Sequence, residues 1–354
     1  MENLRIRIIE PRFFEEEKEA VIKILESHKL TRGEWTRKFQ EAFALYTGAD
    51  YCFTVCSGTV ALFVGLKALG VSKGDKVIIP AMSFMATVDA VLLAEGVPVV
   101  IDIDEYYTMD LNQLEDAVKK HKPKVVIPVH LFGQMADMES IMFLSEKYGF
   151  YVLEDSAQAH GATFKGKKAG AWGHMGAFSF YASKNVPMGE GGALTTSDVS
   201  LANDIRKWID FGDHPAFNVR ITEFQSAIGF IQLKYLDERN RRRREIAEIY
   251  KREFADIFAV PKERNGSLHI YHLFTLRHER RDEIIRELRK RGIDARVYYP
   301  YLLNEIRECE SFPLDRAKAF REEVFSIPVH PFLSEEEVNY IVDSLKEIVY
   351  VLTC

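Results

Sequence analysis

The fold is decided by the stretch Ala177-Phe-Ser-Phe-Tyr-Ala-Ser-Lys184 and by the glycine cluster Gly189-Glu-Gly-Gly192 that follows it. The first part reads as a short apolar, aromatic strand, and a lysine comes directly after it. Small and aromatic neighbours on a buried strand host an idle ammonium only at a cost, and burial lowers the pKa of a lysine. Lys184 is therefore predicted to be a reactive free amine, with a glycine-rich turn beside it that can admit a bulky ligand.

Two further segments carry polar groups that could act together with Lys184. The strand Tyr151-Val-Leu-Glu-Asp155 ends in an acid, and Cys56-Ser-Gly-Thr59 opens an apolar helix. A hydroxyl and free backbone amides at a helix N-terminus form an anion site. A lysine for a Schiff base, an acid for a pyridine nitrogen and a phosphate cradle are together what pyridoxal 5′-phosphate (PLP) needs. The sequence therefore predicts a PLP enzyme.

Other side chains near these segments are candidates for the same site. Gln158 follows the acid and could hold the phenolic oxygen of the cofactor, whereas His160 is at least as well explained by core packing. Ser179, on the lysine strand, could supply another hydroxyl to the phosphate. Phe84 could stack on the cofactor ring or could pack in the core, and the residues alone leave both interpretations open.

The pattern along the chain predicts an α/β domain. Strands are predicted at Cys52–Val55, Lys76–Pro80, Val97–Asp102, Lys124–His130, Tyr151–Asp155, Ala177–Tyr181 and Ala193–Thr196. They are β-branched and lack polar alternation, so we expect a mostly parallel central sheet with helices on both faces. Ligands bind beyond the carboxyl ends of such strands. Because His130, Asp155 and Lys184 fall at or after strand ends, they are predicted to share one site.

A smaller unit is predicted after a long helical stretch from Phe224 to Phe254. The pattern then gives a strand (Ile270–Leu276), a helix (Arg281–Arg291), a strand reaching Tyr298 and a final helix (Glu335–Tyr350). We predict a large PLP-binding α/β domain over residues 1–242, including an N-terminal helical segment, and a small C-terminal α+β domain over residues 243–354. The basic run 241–244 lies among acids and is predicted to be a solvated face.

Composition excludes several classes of protein. The chain has 354 residues and a formal net charge of −6, which gives no electrostatic case for binding nucleic acid or an anionic membrane. We find no signal-peptide pattern and no apolar run of membrane-spanning length. The four cysteines show no disulfide framework, and Cys52 and Cys56 lack a second pair of ligands for a metal. These features favour a reduced, cytoplasmic protein without a metal site.

Taken together, these segments resemble the DegT/DnrJ/EryC1/StrS family of sugar aminotransferases, which are fold-type I PLP enzymes. The resemblance covers nearly the whole chain, and it rests on the order and spacing of its motifs rather than on one of them. The segments are Ser57–Leu62, Asp102–Asp104 with Thr108 and Asp110, Pro128–Gln134, Glu154–Ala162, Phe178–Lys184, Gly189–Gly192, Asn218–Arg220, Gln225–Ala227, and Ser326–Pro328 with Leu333–Glu337.

The resemblance implies a reaction and roles for three residues. Lys184 would bind the cofactor covalently and move protons, Asp155 would pair with the pyridine nitrogen, and Gln158 would contact the ring oxygen. The implied chemistry is ping-pong transamination. An amino donor, L-glutamate, would leave its nitrogen on the cofactor, and a keto sugar attached to a nucleotide diphosphate would then accept it, for surface-glycan or secondary-metabolite sugars.

The resemblance also implies how the cofactor is held. Gly58, Thr59 and Ser179 would bind the phosphate, and Phe84 would stack on the ring. Asn218 would reach the phosphate of the neighbouring subunit's cofactor. The implied active unit is therefore a homodimer with its active site at the subunit interface.

Two departures from the family pattern leave the sugar open. The family often has His-Tyr-Pro where this chain has Tyr298-Tyr299-Pro300, and Gly-Pro-x-Val where it has Gly33-Glu-Trp-Thr36. A cyclitol (inosose) aminotransferase and a keto-sugar dehydratase remain alternatives, although Lys184 disfavours dehydratases that carry histidine there. A non-catalytic regulator would lack Lys184 or Asp155, and a nicotinamide dehydrogenase would need a Gly-x-Gly-x-x-Gly opening that the chain lacks.

Overall fold

An eight-stranded sheet forms the centre of the protein in a computed structural model that describes residues 4–210 and 218–353. Its spatial order is β1 (Tyr51–Val55), β9 (Gly192–Thr196), β8 (Met175–Ser179), β5 (Tyr151–Asp155), β4 (Val125–Val126), β2 (Lys76–Pro80), β3 (Val97–Ile101) and β12 (Glu310–Ser311). Strand β9 is antiparallel to both neighbours, and every other adjacent pair is parallel. The predicted mostly parallel sheet is therefore confirmed.

Helices cover both faces of this sheet. They are α2 (Glu34–Thr47), α3 (Gly58–Ala68), α4 (Ala86–Leu93), α5 (Leu111–His121), α6 (Met138–Tyr148) and α7 (Val199–Ile209), whereas α1 (Glu15–Ser27) packs against the later helix Glu223–Lys234. On β2, Val77 and Ile79 pack in the apolar cluster that contains α3 and α4, while Ile78 packs in the cluster that contains α5 and α6. Because side chains alternate along a strand, an unbroken apolar run serves both layers.

A third apolar cluster belongs mostly to the C-terminal part. The remaining elements are β6 (Thr163–Phe164), β7 (Lys167–Lys168), α8 (Glu223–Lys234), α9 (Leu236–Phe254), β10 (Ser267–Leu268), β11 (Phe274–Arg277), α10 (Arg281–Lys290), α11 (Leu303–Ile306), α12 (Asp315–Glu323), β13 (Val324–Ile327) and α13 (Glu335–Thr353). Side chains of α9, α10, α13 and the antiparallel pair β11–β13 form this cluster. Short strands β10, β6 and β7 make a separate three-stranded sheet.

The proposed division near residue 242 stays a prediction. Residue 242 lies inside α9, and the C-terminal cluster begins just after it, at Ile246. Residues from each side of the division pack with the other side. Leu303 and Leu314 belong to the cluster around the large sheet, and Ile6 belongs to the C-terminal cluster.

The predicted single helical stretch from Phe224 to Phe254 is wrong in one respect, because it is two helices. Helix α8 ends at Lys234 and α9 begins at Leu236. At Tyr235 the backbone amide bonds to the carbonyl oxygen of Gln232, 3.2 Å away, so the helical bond pattern tightens there. Apolar periodicity continues across such a joint, so it does not reveal the break.

Three predicted strands are shorter than expected or absent. In the predicted strand Lys124–His130 only Val125–Val126 is strand, because Pro128 has no N–H to give and a 3₁₀ turn follows at Leu131–Gly133. Strand β11 begins at Phe274 rather than Ile270, because Tyr271 lies in the left-handed region with φ 46°. The predicted strand reaching Tyr298 is reduced to one bridge between Arg296 and Ser326.

Candidate active site

The amine of Lys184 and the carboxylate of Asp155 are brought together by neighbouring parallel strands. Asp155 ends β5 and is directly opposite Ala177 of β8, the strand that leads to the lysine. The amide N–H of Lys184 donates to the carbonyl oxygen of Tyr181 at 2.8 Å, which closes a turn beyond the sheet. Burial lowers the pKa of Lys184 to about 8, and the charge of Asp155 opposes that shift. At pH 7 the neutral, nucleophilic form of the amine is therefore far more populated than in an ordinary lysine, although the charged form still predominates.

This pKa predicts how the protein takes up its cofactor at different pH values. Only the neutral amine attacks an aldehyde, so we expect the rate of covalent PLP attachment to rise with pH through about 8 and to level off above it. With an ordinary lysine, the rate of attachment would keep rising toward about pH 10.4. The measurement is the growth of the visible absorption band after PLP is added to cofactor-free protein. A rate still rising steeply at about pH 10 would contradict the lowered pKa.

Asp155 is held by two hydrogen bonds in a buried place. Its Oδ2 accepts from the hydroxyl of Thr87 at 2.9 Å, and its Oδ1 accepts from the amide of Ala157 at 3.2 Å. The hydroxyls of Thr87 and Ser83 lie 2.8 Å apart, so the threonine is itself oriented. Burial raises the pKa of Asp155, and the hydrogen bonds and the charge of Lys184 only partly offset this. A positively charged N–H donor stabilises the ionised form of such a buried carboxylate more than a neutral donor does.

A glycine-lined cradle lies at the start of α3. Ser57 caps this helix, with its Oγ accepting from the amide of Val60 at 3.2 Å, and Gly58 is the first helical residue. A Cβ at Gly58 would lie 2.7 Å from Cβ of Ser179, and a Cβ at Gly192 would lie 2.3 Å from the carbonyl oxygen of Ser57. Both positions therefore require glycine. This packing brings Gly58 and its neighbour Thr59 beside Ser179, with free helix amides for an anion.

Gln158 and Phe84 lie near an aromatic residue that sequence reasoning did not assign to the site. The Oε1 of Gln158 accepts from the amide of Phe132 at 2.8 Å, and its Nε2 donates to the hydroxyl of Tyr299 at 2.7 Å. The ring of Phe84 is 48% exposed, and its centroid lies 6.0 Å from that of Tyr299. Tyr299 thus orients Gln158. The only signal in the sequence is its place in the segment Tyr298–Pro300.

The side chain of His130 bonds to Glu154 rather than to Asp155 or Lys184. Its Nδ1 accepts from the amide of Ala136 at 3.2 Å, so Nε2 carries the proton and donates to Oε2 of Glu154 at 2.9 Å. Glu154 also accepts from the amides of Gly170, Trp172 and Gly173. This fully bonded pair holds β5 to the following loop. A place for the His130 side chain in the site stays a prediction: it bonds to Glu154, whose side chain points to the opposite face from Asp155, yet His130 is near enough to affect the pKa of Asp155.

His160 is a packing residue, as one of the two readings expected. It is buried with its ring centroid 5.5 Å from each of Phe178 and Phe180, and burial lowers its pKa to about 3. Its carbonyl oxygen accepts from Asn240 at 2.8 Å. The same asparagine accepts from Asn185, the residue after the lysine. No signal in the sequence indicated this buried network behind Lys184.

Asn218 lies at the edge of the described part of the chain. It is exposed, and the carbonyl oxygen of the next residue, Val219, accepts from the amide of Cys56 at 2.6 Å. The segment that contains Asn218 therefore runs beside the phosphate cradle. Which subunit's cofactor it reaches stays a prediction.

Two features are absent from the described residues, 4–210 and 218–353. No helix among them has the length and apolar character that crossing a membrane requires. No group of three or more histidine, cysteine, aspartate or glutamate residues within those ranges is placed to hold a metal ion.

Comparisons with known proteins agree with this geometry. A model of the DegT/DnrJ/EryC1/StrS aminotransferase family matches residues 11–346. The chain is 34% identical to the dTDP-3-amino-3,6-dideoxy-alpha-D-galactopyranose transaminase of Aneurinibacillus thermoaerophilus, over 98% of this chain and 99% of that protein. It is 33% identical to the GDP-perosamine synthase of Escherichia coli O157:H7, over 97% and 98%. The crystal structure of ntda from Bacillus subtilis with bound cofactor PMP is 28% identical with a TM-score of 0.86, over 95% and 82%.

The residues of the site fit pyridoxal 5′-phosphate, the cofactor that these comparisons indicate. The lysine of lowered pKa supplies an amine, and the buried carboxylate of raised pKa supplies a partner for a protonated ring nitrogen. The start of α3, where Gly58 packs too closely to Ser179 for a side chain, supplies a phosphate cradle. The chain belongs to the DegT/DnrJ/EryC1/StrS aminotransferase family, and it is a PLP-dependent aminotransferase.

Proposed function

We propose that this enzyme moves an amino group from L-glutamate to the keto group of a nucleotide-diphosphate-linked sugar, in two half-reactions at one site. The observation that carries the reaction type is the pairing of a partly buried Lys184 of lowered pKa with the buried Asp155. Support for the acceptor comes from the names of two relatives. One is named as the transaminase of a dTDP-linked amino sugar, and the other as GDP-perosamine synthase. A role in surface-glycan or secondary-metabolite sugar synthesis follows from that class of product.

In this proposal each residue has a physical task. PLP supplies a ring that takes up electrons when a bond at the substrate carbon breaks. Lys184 would accept the proton from that carbon and give it back later in the reaction, which its lowered pKa permits near neutral pH. Asp155, held by Thr87 and Ala157, keeps a proton on the ring nitrogen. Gly58, Thr59 and Ser179 bind the phosphate and so fix the register of the ring.

The remaining residues orient the ring and exclude water. Gln158 is proposed to contact the ring oxygen, and its bond to Tyr299 sets the direction of its amide. Phe84 is proposed to stack on the ring. The ring is 48% exposed, which leaves a face free to contact a ligand.

Asn218 is proposed to act on the neighbouring subunit's cofactor, which makes a homodimer the active unit. A hybrid dimer tests this. Lys184→Ala and Asn218→Asp should each be nearly inactive alone. If Asn218 acts across the interface, equimolar mixing after reversible dissociation should restore about one quarter of wild-type turnover, because half of the dimers then contain one intact site. No recovery in dimers shown by mass to be mixed would place Asn218 in its own subunit's site.

The acceptor is tested with a panel of ketones after the enzyme has received nitrogen from L-glutamate. We expect return of the visible absorption band with one or more dTDP- or GDP-linked keto-deoxysugars, and an aminated sugar detected by mass. The free sugar without its nucleotide is the matched control and should react poorly. Reaction with a cyclitol ketone such as an inosose in preference to every nucleotide sugar would contradict the proposed acceptor. Loss of water from the sugar without amination would favour the dehydratase alternative.

A further inference from the structure

The side-chain amide of Gln158 is held by the protein at both ends, and this fixes which end is the nitrogen. One end lies 2.8 Å from the backbone nitrogen of Phe132, which can only donate, so that end is the oxygen. The other end is therefore the NH₂ group, and it donates one hydrogen to the hydroxyl oxygen of Tyr299, 2.7 Å away. Among residues 4–210 and 218–353 the second hydrogen has no acceptor, so it remains for a ligand.

Tyr299 lies beside two of the side chains that are proposed to contact the cofactor ring. It is 8% exposed, its hydroxyl bonds to Gln158, and its ring centroid lies 6.0 Å from that of Phe84. Gln158 follows β5 and Phe84 precedes α4, whereas Tyr299 comes from the C-terminal part of the chain. A single residue from that part therefore connects the contact proposed for the ring oxygen with the ring proposed to stack.

The segment that carries Tyr299 is anchored to the end of β2 and to α4. The amide of Leu303 donates to the carbonyl oxygen of Ala81 at 3.0 Å, and both residues are buried. Arg307 also bonds to Asp89 at 2.6 Å, but this pair is exposed and contributes little to stability. The buried bond therefore does most to hold the phenol against the large sheet, where Tyr299 gives the NH₂ group of the glutamine a fixed acceptor.

We infer that Tyr299 is a positioning residue, which keeps the remaining N–H of Gln158 on the ring oxygen and so lowers the pH at which the lysine-bound cofactor loses its proton. An N–H donated to that oxygen stabilises its negative charge and weakens its hold on the proton of the neighbouring nitrogen. Without the hydroxyl of Tyr299 the amide has no fixed direction, and this effect weakens. The inference rests on the proposed function, which puts Gln158 at the ring oxygen.

The phenol acts here as a neutral group. Burial, followed by a smaller contribution from its neighbour Tyr301, raises the pKa of Tyr299, so the hydroxyl keeps its proton where the cofactor titrates. Other charged or titratable groups surround Lys184 and Tyr299, namely Asp155, His130, His160, Arg243, His272, Tyr298 and Tyr301. All of them are the same in wild type and in Tyr299→Phe, so their effects cancel when the two proteins are compared.

A pH titration of the PLP-loaded protein, followed by absorbance without any substrate, tests the inference. The visible band should give way to a near-ultraviolet band as the pH rises. We expect the midpoint to lie about 0.5–1 pH unit higher in Tyr299→Phe, as the loss of one hydrogen bond implies. The control is Tyr301→Phe, whose hydroxyl bonds to the backbone of Met85 instead, and its midpoint should equal that of wild type. An equal midpoint in Tyr299→Phe would overturn the inference.

A double-mutant cycle shows whether Tyr299 acts through Gln158. Gln158→Leu should raise the midpoint by itself, and Tyr299→Phe added to it should then cause no further change. A second shift of the same size in the Gln158→Leu protein would mean that the phenol acts on the cofactor independently, and its role as a positioning residue would be wrong.

Failure of this inference and failure of the proposed function give different results, because the titration needs neither an amino donor nor a keto sugar. If wild type takes nitrogen from L-glutamate and the midpoints of wild type and Tyr299→Phe are equal, the function stands and the role of Tyr299 is wrong. If wild type takes nitrogen from no amino acid, the proposed function fails, whereas the midpoints still decide the role of Tyr299.

Discussion

Lys184→Ala is expected to abolish transamination, with kcat lower by about 10³-fold or more, because we propose Lys184 as both the covalent anchor of the cofactor and the group that moves the proton. The protein should still bind PLP through its phosphate, but without the visible band of the lysine-bound form. Circular dichroism and the native mass of the protein should be unchanged. Steady-state turnover and an absorbance spectrum check both expectations.

A matched lysine separates this effect from a general loss of charge. Lys165 is exposed and pairs with Glu139 on the surface, so Lys165→Ala should keep wild-type turnover to within about twofold. Full turnover in Lys184→Ala would show that the lysine is not the reactive amine, and the assignment of the site would then be wrong.

Asp155→Asn is expected to lower kcat by about 10²- to 10³-fold while leaving the fold intact. The amide has nearly the shape of the carboxylate and can still accept from Thr87 or Ala157, but it carries no charge to hold a proton on the ring nitrogen. Addition of an amino donor in single-turnover experiments measures the step directly. Turnover within about twofold of wild type would contradict the role given to Asp155.

The stability of the same variant gives an independent check. Burial raises the pKa of Asp155 above its ordinary value, so at neutral pH, above the unfolded pKa, the ionised carboxylate costs the cofactor-free protein stability. This cost disappears at acidic pH, where the group is protonated in both states. We therefore expect the Tm of cofactor-free Asp155→Asn at neutral pH to be equal to or above that of wild type. A lower Tm there, together with normal turnover, would make Asp155 a structural residue.

Much of the fold follows from short-range pattern. Apolar runs with no polar alternation predicted the parallel sheet, and β5 begins and ends at the predicted residues, Tyr151 and Asp155. Chain order also sufficed to place Lys184 near Asp155, because parallel strands present their carboxyl ends at one edge. The antiparallel direction of β9 was not predicted, since an apolar strand buried on both faces has the same pattern in either direction.

The parts of the site that sequence did not reveal depend on contacts between distant segments. Thr87 bonds to Asp155 from helix α4, and Tyr299 reaches Gln158 from the C-terminal part. Arg243 lies in a basic run that composition assigns to solvent, yet it is buried while Arg241 in the same run is exposed. Which arginine of such a run is buried depends on the segments that pack against the helix, and the local sequence does not reveal those contacts.

The most direct test of the central claim is the absorbance spectrum of the purified, PLP-loaded protein before and after addition of L-glutamate. The account predicts a visible band from the lysine-bound cofactor that disappears as a near-ultraviolet band grows, with 2-oxoglutarate released in equal amount. A visible band that L-glutamate leaves unchanged would contradict the proposed donor. A protein that forms no visible band when PLP is added would contradict the assignment of Lys184 and Asp155 as its active site.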